Sequence, residues 1–268
     1  KPIPPTAPTH YAITTLGRSE AEAALPARAR VAREVLQTLL DTNAVSTETL
    51  RAMSPSAMKT LRLFVEQAWA TPVPFTPHAA PPADDALLPT LNHEQKQALE
   101  KISSVTQKFQ VSLLHGITGS GKTEIYLRLI ADAIARGGQA LVLVPEINLT
   151  PQLENTFRAR FPGAAIASLH SHLNDSERLQ HWLAAKNGHA RIIIGTRLAV
   201  FAPIADLNLI VVDEEHDGSF KQQDGLRYSA RDVAVFRASQ RGIPIVLGSA
   251  TPSLESWHNG QSGRYQFI

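Results

Sequence analysis

The chain has 268 residues, a net charge of +2, 43% hydrophobic and 19% charged residues, and no cysteine. This composition is ordinary for a globular protein, and it excludes wholesale disorder, a disulfide scaffold and a thiolate zinc site within these residues. No run approaches the roughly 18 apolar residues of a membrane-spanning helix, and no secretory signal segment stands at the front. Because the net charge is too small to identify a polyanionic partner, any nucleic-acid function must be argued from motifs.

The first third of the sequence predicts a small domain between two linkers. Residues 1–10 and 71–90 are rich in proline and predict linkers without regular structure. Between them, residues 11–70 predict one strand at 11–16, followed by three short helices with apolar residues at helical spacing. A strand and three short helices joined by brief turns are typical of a winged-helix domain.

From residue 91 onward, the sequence alternates between apolar runs and helical segments. The strand-like runs begin near residues 111, 140, 165, 191, 207 and 244, and helical segments lie between most of them. This alternation predicts an α/β domain with a parallel sheet covered on both faces, and ligands of such sheets bind beyond the carboxyl ends of the strands. The chain begins without methionine and ends on the opening of another strand, so we expect a piece of a longer protein.

A glycine-rich loop lies between the first of these strands and the helix that follows it. Residues 116–123 read GITGSGKT and match the phosphate-loop pattern at every fixed position. Glycines allow successive N–H groups to point at phosphate oxygens, and the following helix presents its positive end to the same anion. A chance glycine-rich turn is the alternative, but a strand before the loop and a helix after it are what the motif requires. The pattern predicts nucleotide contacts from Gly116, Thr118, Gly119, Ser120, Gly121, Lys122 and Thr123, with Lys122 on the terminal phosphates and the Thr123 hydroxyl on magnesium.

A second acidic site follows a buried strand. Four aliphatic residues lead directly into Asp213 and Glu214. Two carboxylates at the end of a buried strand require a cation. We therefore predict that Asp213 binds Mg²⁺ through water and that Glu214 acts as the base that orients the attacking water. An acidic turn after a core strand is the alternative, and the phosphate loop upstream argues against it.

Several motifs together resemble superfamily 2 helicases of the DEAD/DEAH type, and among these the PriA family of replication-restart helicases. The motifs are LNHEQ at 91–95, VPEI at 144–147, GTR at 195–197, DEEH at 213–216 and GSATPS at 248–253. The resemblance covers essentially the whole chain and implies a RecA-like first lobe at residues 91–268, preceded by the winged helix. It further implies that Gln95 reads adenine, that Pro145, Thr196 and Arg197 hold the nucleic-acid backbone, and that His216, Ser249 and Thr251 couple the two sites.

The resemblance also implies a function. A PriA-like protein is an ATP- and Mg²⁺-dependent 3′-to-5′ DNA helicase that restarts replication at forks in the bacterial cytoplasm, with primosome proteins and single-strand-binding protein as partners. Zinc is expected only in a second lobe outside this chain, so we expect the chain alone to be weakly active or inactive. Two alternatives remain open: a double-strand DNA translocase of the same superfamily, and a regulatory phosphate-loop ATPase with a winged-helix module.

The segment after the acidic site combines aromatic and basic residues. Phe220 and Tyr228 are interleaved with Lys221, Arg227 and Arg231, in a pattern that resembles the aromatic-rich loop of PriA and RecQ-type helicases. Aromatic rings stack on bases of any sequence, and cations contact phosphates. We therefore predict that Phe220, Lys221, Arg227 and Tyr228 contact DNA. The alternative is that either ring packs beneath the loop, just as Arg197 could instead form a surface ion pair.

Overall fold

The structure, a computed structural model, describes residues 10–26, 28–41, 45–73, 88–104, 108–171 and 173–268. The chain divides into two compact units, Lys1–Thr76 and Pro77–Ile268. The predicted linkers at residues 1–10 and 71–90 fall largely outside the described residues. The second linker prediction is wrong for residues 71–73, which belong to the strand Ala70–Val73. Within the described ranges, no helix has the length and apolar character needed to cross a membrane.

The described part of the N-terminal unit combines a small antiparallel sheet with helices. Its elements are β1 (His10–Ile13), α1 (Thr15–Ala24), α2 (Arg30–Asp41), β2 (Val45–Ser46), α3 (Thr47–Met53), α4 (Ala57–Glu66) and β3 (Ala70–Val73). Strand β1 lies between β2 and β3 and is antiparallel to both. Leucines from three helices, Leu39, Leu50 and Leu61, are fully or almost fully buried in the core of this unit.

The start of this unit differs from the prediction. The strand expected at 11–16 ends at Ile13, because the side chain of Thr14 accepts a hydrogen bond from the N–H of Gly17 at 2.9 Å and caps α1. Helix α1 itself was not predicted. At Gly17 a Cβ atom would lie 2.3 Å from the carbonyl oxygen of Trp69, so only glycine allows this approach. The assignment of the unit as a winged helix stays a prediction.

The second unit is built on a seven-stranded sheet. Its strands are β4 (Gln110–His115), β5 (Gln139–Leu143), β6 (Ile166–Leu169), β7 (Ile192–Gly195), β8 (Leu207–Val212), β11 (Pro244–Ser249) and β12 (Gln266–Phe267). The short strands β9 (Lys221–Gln222) and β10 (Tyr228–Ser229) form a separate hairpin. The helices are α5 (His93–Ser103), α6 (Lys122–Ala135), α7 (Pro151–Arg160), α8 (Asp175–Lys186), α9 (Ala230–Arg241) and α10 (Leu254–Gln261).

The order of the sheet is β12-β4-β11-β8-β5-β7-β6, and every pairing is parallel. Strands β8 and β11 begin at the predicted residues, and the other four predicted strands begin within one residue of the prediction. The prediction of an α/β lobe with a parallel sheet is therefore confirmed.

The sheet is buried on both faces, as near-continuous aliphatic strands require. Along β8, Ile210 and Val212 belong to one core cluster, and Leu209 and Val211 to the other. Alternate side chains of a strand point to opposite faces, so the residues from Leu209 to Val212 contribute in turn to two hydrophobic layers. Burial of a side chain of this size stabilises the folded state by about 1.5–3 kcal/mol.

Three neighbouring strands bring the predicted motifs to one edge of the sheet. Strand β11 lies between β4 and β8, with Ser249 beside His115 and Leu247 beside Val212. Because these strands are parallel, their carboxyl ends meet on the same side, where the chain continues into Gly116, Asp213 and the residues after Ser249. The phosphate loop, the acidic residues and the GSATPS motif therefore meet there.

Candidate nucleotide site and nucleic-acid surface

The phosphate loop joins β4 to α6 in the curved form that its glycines allow. Gly119 and Gly121 have φ angles of 81° and 86°, which residues with a Cβ rarely adopt. The N–H of Gly116 donates to the carbonyl of Ser249 at 3.1 Å, and this bond ties the start of the loop to the end of β11. The first N–H groups of a helix have no partner within the helix. The start of α6 therefore offers hydrogen-bond donors and a positive dipole end to an anion.

The ammonium group of Lys122 lies against the backbone of this loop. The residue is 8% exposed, and its Nζ donates to the carbonyls of Gly116 at 2.7 Å and Ile117 at 3.3 Å. Thr123 follows it in the first turn of α6 and is exposed. The structure thus places a buried cation and an exposed hydroxyl side by side at the start of the helix, which suits the phosphate and magnesium roles predicted for them.

Gln95 contacts the phosphate loop directly. Its backbone N–H and its Oε1 form a capping box with Asn92 at the start of α5, and its Nε2 donates to the carbonyl of Ser120 at 2.9 Å. A Cβ atom on Gly121 would lie 2.2 Å from the same Nε2. The side chain therefore braces the loop from α5. The prediction that Gln95 reads adenine is not tested by this geometry.

Asp213 stands at the end of β8 and accepts a hydrogen bond from a residue of α6. The hydroxyl of Tyr126 donates to its Oδ1 at 3.0 Å. Burial raises the pKa of Asp213 above its usual value; the bond from Tyr126 and the ammonium of Lys122 act in the opposite direction, and the charge of Glu214 adds to the rise. Burial, together with the Asp213 carboxylate, also raises the pKa of Tyr126 well above its usual value. The tyrosine therefore stays protonated and acts as a donor.

Glu214 has an unusual backbone conformation. Its φ angle is 47°, in the left-handed region that residues other than glycine, asparagine and aspartate seldom adopt. Such a conformation costs about 1–3 kcal/mol and persists only where the surroundings enforce it. Here the carbonyl of Glu214 accepts from the N–H of Asp217 at 2.8 Å, which closes a tight turn immediately after the strand. Strain of this kind is concentrated at functional sites.

The three residues predicted to couple the two sites lie together. His216 Nδ1 is 2.7 Å from the Oγ of Ser249 and 3.6 Å from a carboxylate oxygen of Glu214. Its Nε2 is 3.3 Å from the hydroxyl oxygen of Thr251, whose N–H donates to Ser249 Oγ at 3.0 Å. The imidazole thus joins the acidic turn to the segment after β11. The coupling role of these three residues stays a prediction.

Glu215 is a buried carboxylate with donors from two helices, α9 and the start of α10. Its Oε1 accepts from the N–H of Ser253 at 2.7 Å, and its Oε2 accepts from Ser256 Oγ at 2.8 Å and Arg231 Nη1 at 3.0 Å. The side chain of Glu215 has no exposed surface, and that of Arg231 is 8% exposed. A buried ion pair withstands its desolvation only when further hydrogen bonds satisfy it. This network satisfies the carboxylate and fastens the acidic turn to α9 and α10.

Arg231, one of the cations interleaved with the aromatic residues in the sequence, is therefore held inside the protein and does not face the solvent. It lies in the first turn of α9, which Ser229 caps. Its Nε donates to Asp232 at 2.8 Å, and its Nη1 donates to Ser253 Oγ at 2.6 Å in addition to Glu215. These carboxylates raise the pKa of Arg231 in spite of its burial. The charge is already compensated within the protein.

The donors at this edge fit magnesium that arrives with a nucleotide. No group of three His, Cys, Asp or Glu side chains that could hold a metal occurs among the described residues. Magnesium in nucleotide sites keeps several waters and is held by one or two protein oxygens together with substrate phosphates. The Thr123 hydroxyl and the Asp213 carboxylate are oxygen donors of the required kind, and the N–H groups at the start of α6 suit the phosphates.

The burial of Phe220 is contrary to the prediction that this residue contacts DNA. Phe220 is 1% exposed and belongs to the core cluster on one face of the main sheet. It closes a short 3-10 turn, Gly218–Phe220, that begins with a bond from the N–H of Ser219 to Asp217 Oδ1 at 2.7 Å. The turn directs the ring inward, so it cannot stack on a base in this conformation. The alternative of packing beneath the loop describes this residue.

Tyr228 and Arg197 help to hold the β9–β10 hairpin in position. Tyr228 is partly buried and packs edge-to-face on Phe201, with 5.0 Å between ring centroids. Arg197 Nη1 donates to the carbonyls of Ser219 at 3.1 Å and Lys221 at 3.3 Å. The guanidinium thus positions the segment that leads into β9. Both bonds use Nη1, and the predicted phosphate contact of Arg197 stays a prediction.

The exposed cations lie on the hairpin itself. Lys221 and Arg227 are exposed and line a cleft together with polar residues of the turn. The side chains of Pro145 and Thr196, in contrast, are buried. Of the predicted DNA contacts, Lys221 and Arg227 present charge to the solvent. The predicted DNA contacts of Pro145 and Thr196 stay predictions.

Two residues of the site were missed by the sequence analysis. Tyr126 follows Lys122 by four positions, so both side chains lie on one face of α6. Gly248 faces Tyr126 from β11, where a Cβ atom would lie 1.6 Å from the tyrosine oxygen. The spacing from Lys122 could have indicated Tyr126, but nothing in the sequence indicates the contact with Gly248, since it depends on the order of the strands.

Comparisons with other proteins agree with this geometry. The family profile described as "DEAD/DEAH box helicase" matches residues 92–259, more than half of the chain. The chain is 46% identical over 180 residues to replication restart protein PriA of Bacillus subtilis, covering 66% of this chain and 22% of that protein. It is 53% identical over 171 residues to PriA of Synechocystis, covering 63% and 20%. The resemblance to PriA that the motifs indicate is thus confirmed, and the chain spans about a fifth of these relatives.

A solved structure shares the fold. RecG bound to a three-way DNA junction superposes with a TM-score of 0.52 at 24% identity, over 68% of this chain and 24% of that chain. This likeness supports the helicase-lobe architecture alone. The profile match together with the phosphate loop, the acidic turn and the segment after β11 leads to one conclusion: the chain belongs to the DEAD/DEAH box helicase family.

Proposed function

We propose that the second unit is the ATP-binding first lobe of a replication-restart DNA helicase. One observation carries the proposal: Lys122, Asp213 and the His216–Ser249 contact meet at the carboxyl ends of three adjacent parallel strands. This arrangement provides the anion site, the magnesium ligand and a link toward a bound strand. The relatives named replication restart protein PriA support the restart function.

The roles of the individual residues follow from their positions. The phosphate-loop backbone and Lys122 hold the phosphates of ATP, while the Thr123 hydroxyl and Asp213 hold its magnesium. Magnesium, when bound, neutralises the charge that develops on the phosphate oxygens. Glu214 then orients the attacking water. Gln95, which braces the loop, also recognises the adenine of the nucleotide.

The residues predicted to contact DNA have different roles in this proposal. Lys221 and Arg227 meet phosphates of single-stranded or forked DNA, and the backbone near Pro145 and Thr196 follows the same strand. Arg197 and Tyr228 act mainly by holding the hairpin in place, and Phe220 is a core residue. Contacts of this kind give affinity and salt dependence and no choice of sequence. The first unit, as a winged helix, adds a contact to duplex DNA.

The wider functional proposal concerns the longer protein. We propose 3′-to-5′ movement, action at forks with primosome proteins and single-strand-binding protein, and a location in the bacterial cytoplasm near the nucleoid. Zinc sites and the second half of the ATP site belong to a second lobe. The chain alone should therefore bind nucleotide weakly and hydrolyse it slowly.

The test compares ATP hydrolysis by this chain and by the longer protein, each with and without forked DNA. We expect strong DNA stimulation and strand separation for the longer protein only. Stimulation without strand separation would favour the translocase alternative. No stimulation by any DNA would favour the regulatory ATPase and refute the helicase proposal. Lys122→Ala, assayed in parallel, should abolish nucleotide binding.

A further inference from the structure

Tyr126 connects the two elements between which a magnesium nucleotide would be bound. It lies on α6, one turn after Lys122 and Thr123, and its hydroxyl reaches Asp213 Oδ1 on β8 at 3.0 Å. Only 2% of the residue is exposed, so its ring cannot move aside without disturbing the core. The bond therefore fixes one oxygen of Asp213 relative to the helix that carries Thr123.

Strand β11, which pairs with β8, has a glycine where the tyrosine hydroxyl approaches. A Cβ atom on Gly248 would lie 1.6 Å from the Tyr126 oxygen and 2.8 Å from Cζ, which no side chain tolerates. The φ angle of Gly248 is not positive, so its backbone conformation does not require glycine. The close approach of the tyrosine hydroxyl therefore accounts for the glycine. The carbonyl of Gly248 also accepts from the N–H of Glu215 at 3.0 Å. One strand position thus admits the hydroxyl and supports the acidic turn.

We propose that Tyr126 is a positioning residue for magnesium: it holds the Asp213 carboxylate at the distance and orientation from Thr123 that the metal of a bound nucleotide requires. This inference rests on the proposed nucleotide function. It adds a residue that lies outside the phosphate loop and the acidic turn, and it assigns Gly248 the role of admitting the tyrosine hydroxyl.

The chemistry of the pair supports this role. An ionised carboxylate accepts hydrogen bonds at four lone-pair sites, so the single bond from Tyr126 leaves acceptor capacity on Asp213 for the water shell of a metal. Without the hydroxyl, a partly buried carboxylate next to Glu214 would lose a donor and rotate toward solvent. Partners of metal ligands that lie one shell further out typically contribute about 10–100-fold in metal affinity.

The decisive variant is Tyr126→Phe, which removes only the hydroxyl. Binding of a fluorescent ADP analogue to this chain is titrated with Mg²⁺ and, separately, measured in excess EDTA. We expect the Mg²⁺ concentration at half-maximal binding to rise about tenfold, while binding in EDTA changes less than about twofold. Tyr11→Phe, which alters a partly buried tyrosine of the other unit, is the matched control and should leave both values unchanged.

Gly248→Ala provides an independent variant. Its methyl group should displace the tyrosine oxygen and reproduce the selective loss of magnesium-dependent binding. In the Tyr126→Phe background the same methyl group should cost less, because the nearest atom is gone. An equal cost of Gly248→Ala in both backgrounds would contradict the link between Gly248 and the hydroxyl.

The outcomes separate this inference from the proposed function. If the unaltered chain binds no magnesium nucleotide, the proposed function fails and the role of Tyr126 with it. If it binds and Tyr126→Phe matches it at every Mg²⁺ concentration, only the role of Tyr126 is overturned. An equal loss with and without magnesium would show that the tyrosine merely supports α6, and would also overturn the inference.

Discussion

The phosphate loop at residues 116–123 and the segment at residues 217–232 both carry ligand-binding patterns, yet they agree with their patterns to different degrees. In the phosphate loop, Gly119 and Gly121 adopt positive φ angles and Lys122 lies against the loop backbone, as the motif requires. In the second segment, Phe220 lies in the core and Arg231 is sealed in a buried ion pair. A motif built on backbone geometry fixes its own conformation, whereas a pattern of side chains leaves their direction to tertiary packing.

The largest effect that would test this difference is expected at Phe220. Phe220→Ala should lower the free energy of unfolding by about 4 kcal/mol, because it empties a fully buried site. Leu226→Ala, in the same segment at a residue that is 79% exposed, should change it by less than about 0.5 kcal/mol. Urea denaturation measures both. Unchanged stability of Phe220→Ala with lost binding of single-stranded DNA would restore the stacking role.

Arg231→Met should destabilise the chain by about 3 kcal/mol, because it leaves Glu215 buried without its cation. The double variant Arg231→Met with Glu215→Leu should recover much of this loss, since an apolar pair needs no compensation. Arg30→Met removes an exposed ion pair with Glu34 and should have little effect. If Arg231→Met were as stable as the unaltered chain but bound DNA with a smaller salt dependence, the arginine would be a DNA contact after all.

Arg197→Ala should cost about 2 kcal/mol of stability, because two carbonyls lose a charged donor. Amide hydrogen exchange near Ser219 and Lys221 should also accelerate as the hairpin loosens. Arg197→Lys should recover only part of the effect, since an ammonium lacks the fork of donors. Normal exchange together with reduced DNA affinity would show that Arg197 acts on phosphate alone.

Lys221→Ala and Arg227→Ala should leave stability unchanged, because both side chains are exposed. Each should reduce the slope of log affinity against log salt for single-stranded DNA by about 0.7, the contribution of one released counterion. Lys186→Ala, at an exposed lysine of α8, is the control and should leave the slope unchanged. A slope unaffected by all three changes would remove the hairpin from the DNA surface.

The fold was predictable because the strands of a parallel sheet covered on both faces are marked by their own composition. The bounds of β8 and the start of α6 follow from aliphatic runs and from the phosphate-loop pattern. Helix α1 was not predictable in the same way, since it depends on the cap at Thr14 and on the close approach of Gly17 to Trp69. Local signals therefore predict elements well, except where a distant contact decides them.

The site divides along the same line. Lys122, Asp213 and the His216–Ser249–Thr251 contacts could be predicted, because each residue follows a strand whose end must lie at the ligand edge. The contact between Tyr126 and Gly248 could not, because it depends on β11 lying between β4 and β8. Phe220 is directed inward by a turn in which Asp217 accepts from the N–H groups of Ser219 and Phe220, and the composition of the segment does not reveal this turn.

The left-handed turn at Glu214 has a consequence for transplanting this motif into other proteins. It separates three consecutive acids: Asp213 and Glu214 remain at the ligand edge, while Glu215 is directed into the interior toward Arg231 and Ser256. The tetrapeptide at residues 213–216 therefore cannot be transferred without its partners. Grafted onto another parallel sheet without these partners, it would carry a buried carboxylate with no counter-charge. The host protein would then be destabilised, whether or not a nucleotide was bound.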